Sequence, residues 1–106
     1  MNRRIIIAGA SGAEYTYSPL TPQERLRPVA GNYVVVNLRG ARATVIAAGE
    51  TDNLSKTPWQ DVMSRAVLLH EATDILVRLN VRSAIRREEL DDLVEAHQPP
   101  MSLENA

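Results

Sequence analysis

Apolar and β-branched residues recur along the chain in short runs that turn residues separate. These runs predict five strands, at residues 4–8, 14–20, 32–38, 43–48 and 74–80. A glycine-containing turn joins the first run to the second and another joins the third to the fourth, so each pair is predicted to form a hairpin. A single helical turn is expected from Pro22, with Thr21 as its cap and Glu24 completing a capping box.

Two longer stretches have the periodicity of amphipathic helices. The first begins at Pro58, with Thr57 as the predicted N-cap and Gln60 as its capping-box partner. Its predicted buried stripe consists of Trp59, Val62, Met63, Ala66, Val67 and His70. The second helix is predicted at 84–97, with Ser83 as its N-cap. Its predicted core face consists of Ile85, Leu90, Leu93, Val94 and His97.

The order of these elements is two hairpins, a helix, a strand and a helix. Strands with interspersed helices predict an α+β fold, in which a small, mostly antiparallel central sheet is flanked by helices. The 106 residues suit one domain, and the absence of cysteine excludes a disulfide scaffold and a thiolate site. No apolar run is long enough to cross a bilayer or to form a convincing signal peptide. We therefore expect a cytoplasmic protein without a membrane partner.

Charged side chains are frequent but nearly balanced. They make up 24% of the residues and leave a net charge of −1, so no overall basic field attracts nucleic acid. Their distribution is uneven, because residues 1–45 carry +4 and residues 46–106 carry −5. The candidate contacts to phosphates are Arg25, Arg27, Arg39 and Arg42, together with Lys56.

Acidic side chains and histidines are the candidate metal ligands. Within the charged run at 86–92 the acidic residues are Glu88, Glu89, Asp91 and Asp92. Their i,i+4 spacing, with Arg87 before Asp91, favours a solvated helix face over a metal site. His70 and His97 are too few for a metal cluster and lie on predicted apolar stripes, which favours structural roles. The sequence thus predicts no metal site.

A glycine-rich turn follows the first predicted strand. Gly9 and Gly12 resemble part of a dinucleotide-binding turn, but a third glycine is missing. The residues that follow, EYTYSP, are poor helix formers, whereas the fingerprint needs a helix to meet the pyrophosphate. A hairpin turn is the better interpretation.

A longer pattern runs from Gly31 to Ser102. Gly31 and Tyr33 open one predicted strand as Gly-x-Tyr, Gly49 closes the next strand, and the following turn reads ETDNL. A later charged helix and the sequence HQPPMS complete the order. This order resembles the GIY-YIG nuclease family, whose members carry Gly-x-Tyr, then Tyr-x-Gly, then a helix arginine and a later helix glutamate.

Several functional positions of that family hold other residues in this chain. Ala47 replaces the second motif tyrosine, Thr57 the helix arginine, Leu90 the metal-binding glutamate and Ser102 the terminal asparagine. In the family mechanism the arginine neutralises charge on the phosphate and the glutamate holds a divalent metal. Neither threonine nor leucine supplies these groups, so no catalytic residue is expected.

The resemblance implies both an organisation and a function. It implies an N-terminal hairpin and connector at 1–30, a GIY-YIG-like domain at 31–102 and a tail at 103–106. The implied function is that of a catalytically inactive protein-interaction or regulatory module without a cofactor. Its expected partner is an unidentified protein or, with weak binding, DNA or RNA. A homodimer is also compatible with this function. The alternative is an active endonuclease that uses Mg²⁺ or Mn²⁺ at a diverged site.

Overall fold

The secondary structure follows the predicted order closely. The computed structural model describes residues 4–101, apart from the side chain of Glu24, so Ser102 and the predicted tail at 103–106 lie outside the described residues. The strands are β1 (Ile5–Ala8), β2 (Glu14–Pro19), β3 (Gly31–Arg39), β4 (Arg42–Thr51) and β5 (Asp74–Leu79). The helices are α1 (Pro22–Arg25), α2 (Trp59–His70) and α3 (Ser83–His97), and a 3₁₀ turn occupies Leu54–Lys56. The predicted α+β class is confirmed.

The five strands form one antiparallel sheet with the order β1-β2-β5-β3-β4. β5, the last strand in sequence, therefore lies at the centre of the sheet. It pairs with β3 over six residues, but its register with β2 covers only Ser18 opposite Val77 and Pro19 opposite Leu76. The residues before Gly31 thus belong to the same sheet as the rest; that β1 and β2 are an addition to a GIY-YIG core stays a prediction.

The two faces of the sheet carry separate core clusters, because neighbouring residues of a strand point to opposite faces. One cluster packs against α2 and includes Tyr33, Val35, Ala47, Leu54, Trp59, Val62, Ala66, Ile75, Val77 and Met101. The other packs against α3 and includes Ile5, Ile7, Tyr17, Val34, Val36, Val45, Leu76 and Leu93. We call these the α2-side and α3-side clusters.

β4 contains a bulge that positions the C-terminal end of the described chain. The register of β3 and β4 shifts between Val35 and Val36, which leaves Ile46 without a residue opposite it. A bulge bends the strand and frees backbone groups from the ladder. The Ile46 carbonyl accepts a hydrogen bond from the Met101 N–H at 3.0 Å, and the buried Met101 side chain joins the α2-side cluster.

The predicted start of α2 is wrong. Pro58 occupies the N-cap position and no side chain caps the helix, so Thr57 and Gln60 form no capping box. The Thr57 hydroxyl instead donates to the Asn53 carbonyl at 3.3 Å, because Thr57 ends the preceding 3₁₀ turn. Of the predicted stripe, Trp59, Val62 and Ala66 are buried and Met63 and His70 are half-buried, whereas the assignment of Val67 to the stripe is wrong because its side chain is 48% exposed.

The predicted core face of α3 is confirmed for Leu93 but is wrong for Ile85 and Val94. Ser83 is the first helical residue and not the cap, which is Arg82. Ile85 and Val94 are exposed, and Leu90 and His97 are half-buried. The buried residues of α3 are Leu93 and two charged residues of the run for which the sequence predicts a solvated face, Arg86 and Glu89. The face that meets the sheet is thus largely polar.

Candidate functional site

Tyr33 and Gly49, two positions of the GIY-YIG resemblance, lie directly opposite each other on β3 and β4. The Tyr33 ring crosses Gly49 so closely that a Cβ at Gly49 would lie 2.6 Å from Cζ and Oη. The ring also meets Trp59 edge to face, with centroids 4.9 Å apart. Tyr33 is buried, and desolvation, with the nearby Glu50 charge, raises the pKa of its phenol. Ala47, on the same face, is fully buried.

The ETDNL turn has a local structural role. The Asn53 side chain accepts hydrogen bonds from the Ser55 N–H at 3.0 Å and the Ser55 hydroxyl at 2.6 Å, and so caps the 3₁₀ turn. The Thr51 hydroxyl accepts a hydrogen bond from the Asn53 N–H at 3.1 Å. Leu54 is completely buried in the α2-side cluster. These contacts explain the residue types of this turn without reference to catalysis.

The five motif positions divide between the two sides of the sheet. Tyr33, Ala47 and Gly49 face α2, and Thr57 lies immediately before that helix. Leu90 lies on α3, whose buried Leu93 joins the cluster of the opposite face. The structure therefore brings Tyr33, Ala47 and Gly49 together but does not bring Leu90 to them.

Two ion pairs lie between α3 and the sheet. The buried Arg86 guanidinium donates to Glu50 at 2.7 Å from Nε, and to the Asn80 and Val81 carbonyls at 3.1 and 2.9 Å from Nη1. Arg78 of β5 donates to the largely buried Glu89 at 2.9 Å. Glu50 and Arg78 occupy strand positions that face α3, so each charge on the helix meets an opposite charge on the sheet.

Amide and phenol groups extend this polar interface, which sequence reasoning missed. The buried Asn32 donates to the Arg86 carbonyl at 2.9 Å and accepts from Asn80 at 3.1 Å. The Tyr17 hydroxyl is buried without a hydrogen-bond partner among residues 4–101. Desolvation and the Glu89 charge raise the pKa of this phenol. The available signal was a polar residue on the α3-facing side of a largely apolar strand, Asn32 in β3 and Arg78 in β5.

Asp92 fixes the β1–β2 turn to α3. Its carboxylate accepts hydrogen bonds from the Tyr15 hydroxyl at 2.7 Å and from the Ser11 N–H and hydroxyl at 2.8 Å each. The Tyr15 and Ser11 donors hold the pKa of Asp92 below its ordinary value. Desolvation and the bond to Asp92 raise the pKa of Tyr15 to about 12. A Cβ atom at position 9 would clash with the Asp92 carboxylate, so the contact between Asp92 and this turn requires glycine there.

An acidic groove lies beside this contact, lined by Ser11, Tyr15, Ile85, Glu88, Glu89, Asp91, Asp92 and Glu95. Two of its carboxylates are engaged, Glu89 by Arg78 and Asp92 by Tyr15 and Ser11. Among residues 4–101 no group of three or more His, Asp or Glu side chains has the arrangement to hold a metal ion. His97 is used structurally, with Nε2 2.7 Å from the Ala8 carbonyl.

The basic candidates form two separated groups. Arg25 and Arg27 lie beside the 3₁₀ turn that contains Lys56, because the Ser55 N–H donates to the Arg27 carbonyl at 3.1 Å. Arg39 and Arg42 lie opposite each other at the β3–β4 turn. That turn lies at the opposite end of β4 from the first group. At the rise per residue of an extended strand, the two groups are about 30 Å apart. All five side chains are exposed, but they do not form one basic surface.

An exposed face on α2 combines apolar, aromatic and basic groups. It is a shallow groove lined by Arg25, Trp59, Gln60, Met63, Ser64, Val67 and Leu68, which we call the α2 face. Leu68 is 82% exposed and Val67 48% exposed. Leu26, beside Arg25, is 78% exposed and extends the apolar area toward the start of α2. None of this was predicted, because Val67 was assigned to the buried stripe.

These features define a small α+β protein with a five-stranded antiparallel sheet, a polar interface under α3 and an exposed apolar face on α2. No family model, curated protein or solved structure matches the chain. Within residues 4–101, no helix combines the length and the apolar character needed to span a membrane.

Proposed function

We propose that this chain is a catalytically inactive, GIY-YIG-like protein-interaction module that binds its partner through the α2 face. The observation that carries the proposal is the exposure of Leu68 and Val67 in one groove, with the exposed Leu26 in the adjoining depression. Contiguous exposed apolar area on a folded domain is typical of a protein-interaction site. The exposed Arg25 lines the same groove, and arginine is enriched among the residues that contribute most to protein binding.

The residues at the motif positions support the absence of catalysis. Phosphodiester cleavage in the family needs a cation on the phosphate and a carboxylate on a metal, and Thr57 and Leu90 provide neither. Tyr33, which the resemblance would place at the reacting phosphate, is buried between Gly49 and Trp59 and has a raised pKa. These positions contribute packing, which is sufficient reason for their residue types.

A nuclease assay tests the catalytic half of the proposal. The purified chain is incubated with linear, nicked and branched DNA in Mg²⁺ or Mn²⁺, beside Tyr33→Phe, which keeps the ring but removes the hydroxyl. We expect no cleavage above background with either protein. Metal-dependent cleavage that disappears in Tyr33→Phe would establish the endonuclease alternative and overturn the proposal.

Site-specific photo-crosslinking tests the interaction half. A photoreactive residue replaces Ser64 within the α2 face in the cell, and a matched variant carries it at the exposed Arg87 of α3. We expect one defined protein adduct from position 64, identified by mass spectrometry and lost in the Leu68→Glu background, and none from position 87. Equal labelling from both positions, or none from position 64, contradicts the proposal.

Nucleic-acid binding is the competing function, and its salt dependence distinguishes it. A short DNA duplex can contact only one of the two basic groups at a time. The larger group consists of Arg25, Arg27 and Lys56. Each phosphate contact contributes about −0.9 to the slope of log K against log salt, so three contacts give about −2.7. We expect weak binding with this slope at most. Tight binding that survives high salt would show a nucleic-acid function instead.

A further inference from the structure

The α2 face has two dissimilar ends that are equally distant from Ser64. Gln60 lies four residues before Ser64 and lines the groove beside Trp59 and Arg25. Leu68 lies four residues after Ser64 and projects into solvent, with 82% of its surface exposed. At 1.5 Å per residue, each end is about 6 Å from Ser64 along the helix axis. Residues 60, 64, 67 and 68 share the side of α2 that points away from the sheet, since Val62 and Ala66 are buried.

We propose that the α2 face binds a second copy of this chain, with the two α2 helices antiparallel about a two-fold axis that passes Ser64. This inference rests on the proposed function and names its partner. A two-fold axis at Ser64 places Leu68 of each copy over Gln60 of the other, within the groove that Trp59 and Arg25 line. A surface that fits itself in this way is the requirement for an isologous dimer. The small Ser64 side chain at the axis allows the helices to approach closely.

The charges at the helix ends complement each other in this arrangement. Glu71, which follows α2 and is exposed, lies seven residues after Ser64 and therefore meets position 57 of the second copy. Near that position α2 begins without a side-chain cap, and Arg25 and Lys56 are exposed beside it. A carboxylate is favoured at the N-terminus of a helix, whose backbone N–H groups carry partial positive charge. Asp61, the acidic residue of that first turn, is outnumbered by the two basic side chains.

Sedimentation equilibrium of the full chain tests the dimer directly. The contact is one helix pair with its flanking α1 residues, so we expect reversible association with a Kd on the order of 10 µM. Leu68→Glu should weaken this association at least ten-fold. Val81→Glu is the matched control, because Val81 is 84% exposed but lies in the connection between β5 and α3, and it should dimerise like wild type. A monomer at every concentration, or equal effects of both variants, overturns the inference.

Cysteine pairing tests the geometry, and the chain is suited to it because it contains no cysteine. Ser64→Cys should form a disulfide-linked dimer under mild oxidation, since a disulfide needs Cα atoms within about 7 Å. When Leu68→Cys is mixed with Gln60→Cys, the disulfide between the two variants should form faster than the disulfide between two copies of either variant. Val81→Cys gives the rate of random collision. Pairing of Ser64→Cys no faster than that of Val81→Cys overturns the two-fold axis.

Exchanging the charges at positions 25 and 71 tests whether these two side chains meet across the dimer. Arg25→Glu and Glu71→Arg should each weaken the dimer, and the double variant should regain most of the affinity. Additive weakening in the double variant contradicts the proposed contact. A strictly monomeric chain that still gives a Leu68-dependent adduct with a different protein from position 64 would overturn the second copy while leaving the proposed function in place. A monomer without any adduct would overturn both.

Discussion

Gly49 and Tyr33 are a pair in which each residue restricts the other. Strand propensity alone favours alanine over glycine, because glycine loses more backbone freedom on folding. The Tyr33 ring reverses this preference, since a Cβ at position 49 would lie 2.6 Å from its atoms. We predict that Gly49→Ala lowers the free energy of unfolding by about 1–3 kcal/mol, the usual cost of overpacking a core. Urea denaturation measures the change.

The matched control for this pair is a double-mutant cycle with Tyr33→Leu, which removes the ring atoms that crowd position 49. Gly49→Ala should cost much less in the Tyr33→Leu background than in wild type, because the clash is gone. Strictly additive effects of the two substitutions would show that Gly49 is required for a reason other than the ring.

Asp92 is a residue whose contribution depends on pH. Its folded pKa lies below the ordinary 3.8, because Tyr15 and Ser11 donate hydrogen bonds to the carboxylate. The stability it contributes is therefore complete above the unfolded pKa and is lost as the pH falls through the folded pKa. We predict that Asp92→Asn lowers the urea midpoint near neutral pH and flattens its fall below about pH 4. Asp91→Asn, one residue away and exposed, should leave both unchanged; the same acid profile in both variants would contradict the assignment.

At the scale of elements, α3 shows where the hydrophobic pattern fails. The strands were predicted because β-branched and apolar runs mark them, and α2 because Trp59, Val62 and Ala66 repeat at helical spacing. For α3 the pattern predicts the helix and the burial of Leu93, but it misses the buried Arg86 and Glu89 because it assumes that charged residues face solvent. Arg86 and Glu89 face the sheet, and what makes this favourable is the opposite charge of Glu50 on β4 and Arg78 on β5. Helix periodicity alone does not show which strand charges these side chains meet.

The candidate site was predictable only in part for a related reason. The pattern related Tyr33 to Gly49, and the structure places them opposite each other. The α2 face was missed because helix periodicity shows which residues share a side, but not how far the sheet extends beneath them. Val67 is 48% exposed although Met63, four residues earlier, is half-buried. The extent of the sheet under a helix is a tertiary property.

Arg86 gives the test of the polar interface at this scale. Arg86→Met keeps the length of the side chain but leaves Glu50 and the Asn80 and Val81 carbonyls without their donor. We predict a loss of about 3 kcal/mol in the free energy of unfolding, as is usual when one partner of a buried pair is removed. The neighbouring Arg87→Met is the control and should change stability by less than about 0.5 kcal/mol, because Arg87 is exposed. Equal effects would show that the Arg86 side chain does not form this buried contact between α3 and the sheet.

At the scale of the whole molecule, none of the three tyrosines has an ordinary phenol. The pKa is raised in Tyr15, Tyr17 and Tyr33, in each case chiefly because burial disfavours the phenolate. A raised folded pKa contributes stability that is complete below the unfolded value of 10.0 and is lost as the pH rises. We predict that phenolate absorbance stays low at pH 10.0 and then rises together with the loss of helical circular dichroism. An absorbance increase at pH 10.0 that corresponds to complete ionisation of one tyrosine in the folded protein would contradict this prediction.

The central position of β5 has a consequence for how the chain folds during synthesis. The two hairpins form between neighbouring segments, but only β5 joins them, by pairing with β2 on one side and β3 on the other. Until residue 79 has left the ribosome, both hairpins present open edges and the two core clusters lack Leu76, Ile75 and Val77. Such non-local closure is slow, and exposed strand edges favour aggregation. We therefore expect the two hairpins to stay unjoined until β5 has been synthesised, and folding of the sheet to be completed in one late step.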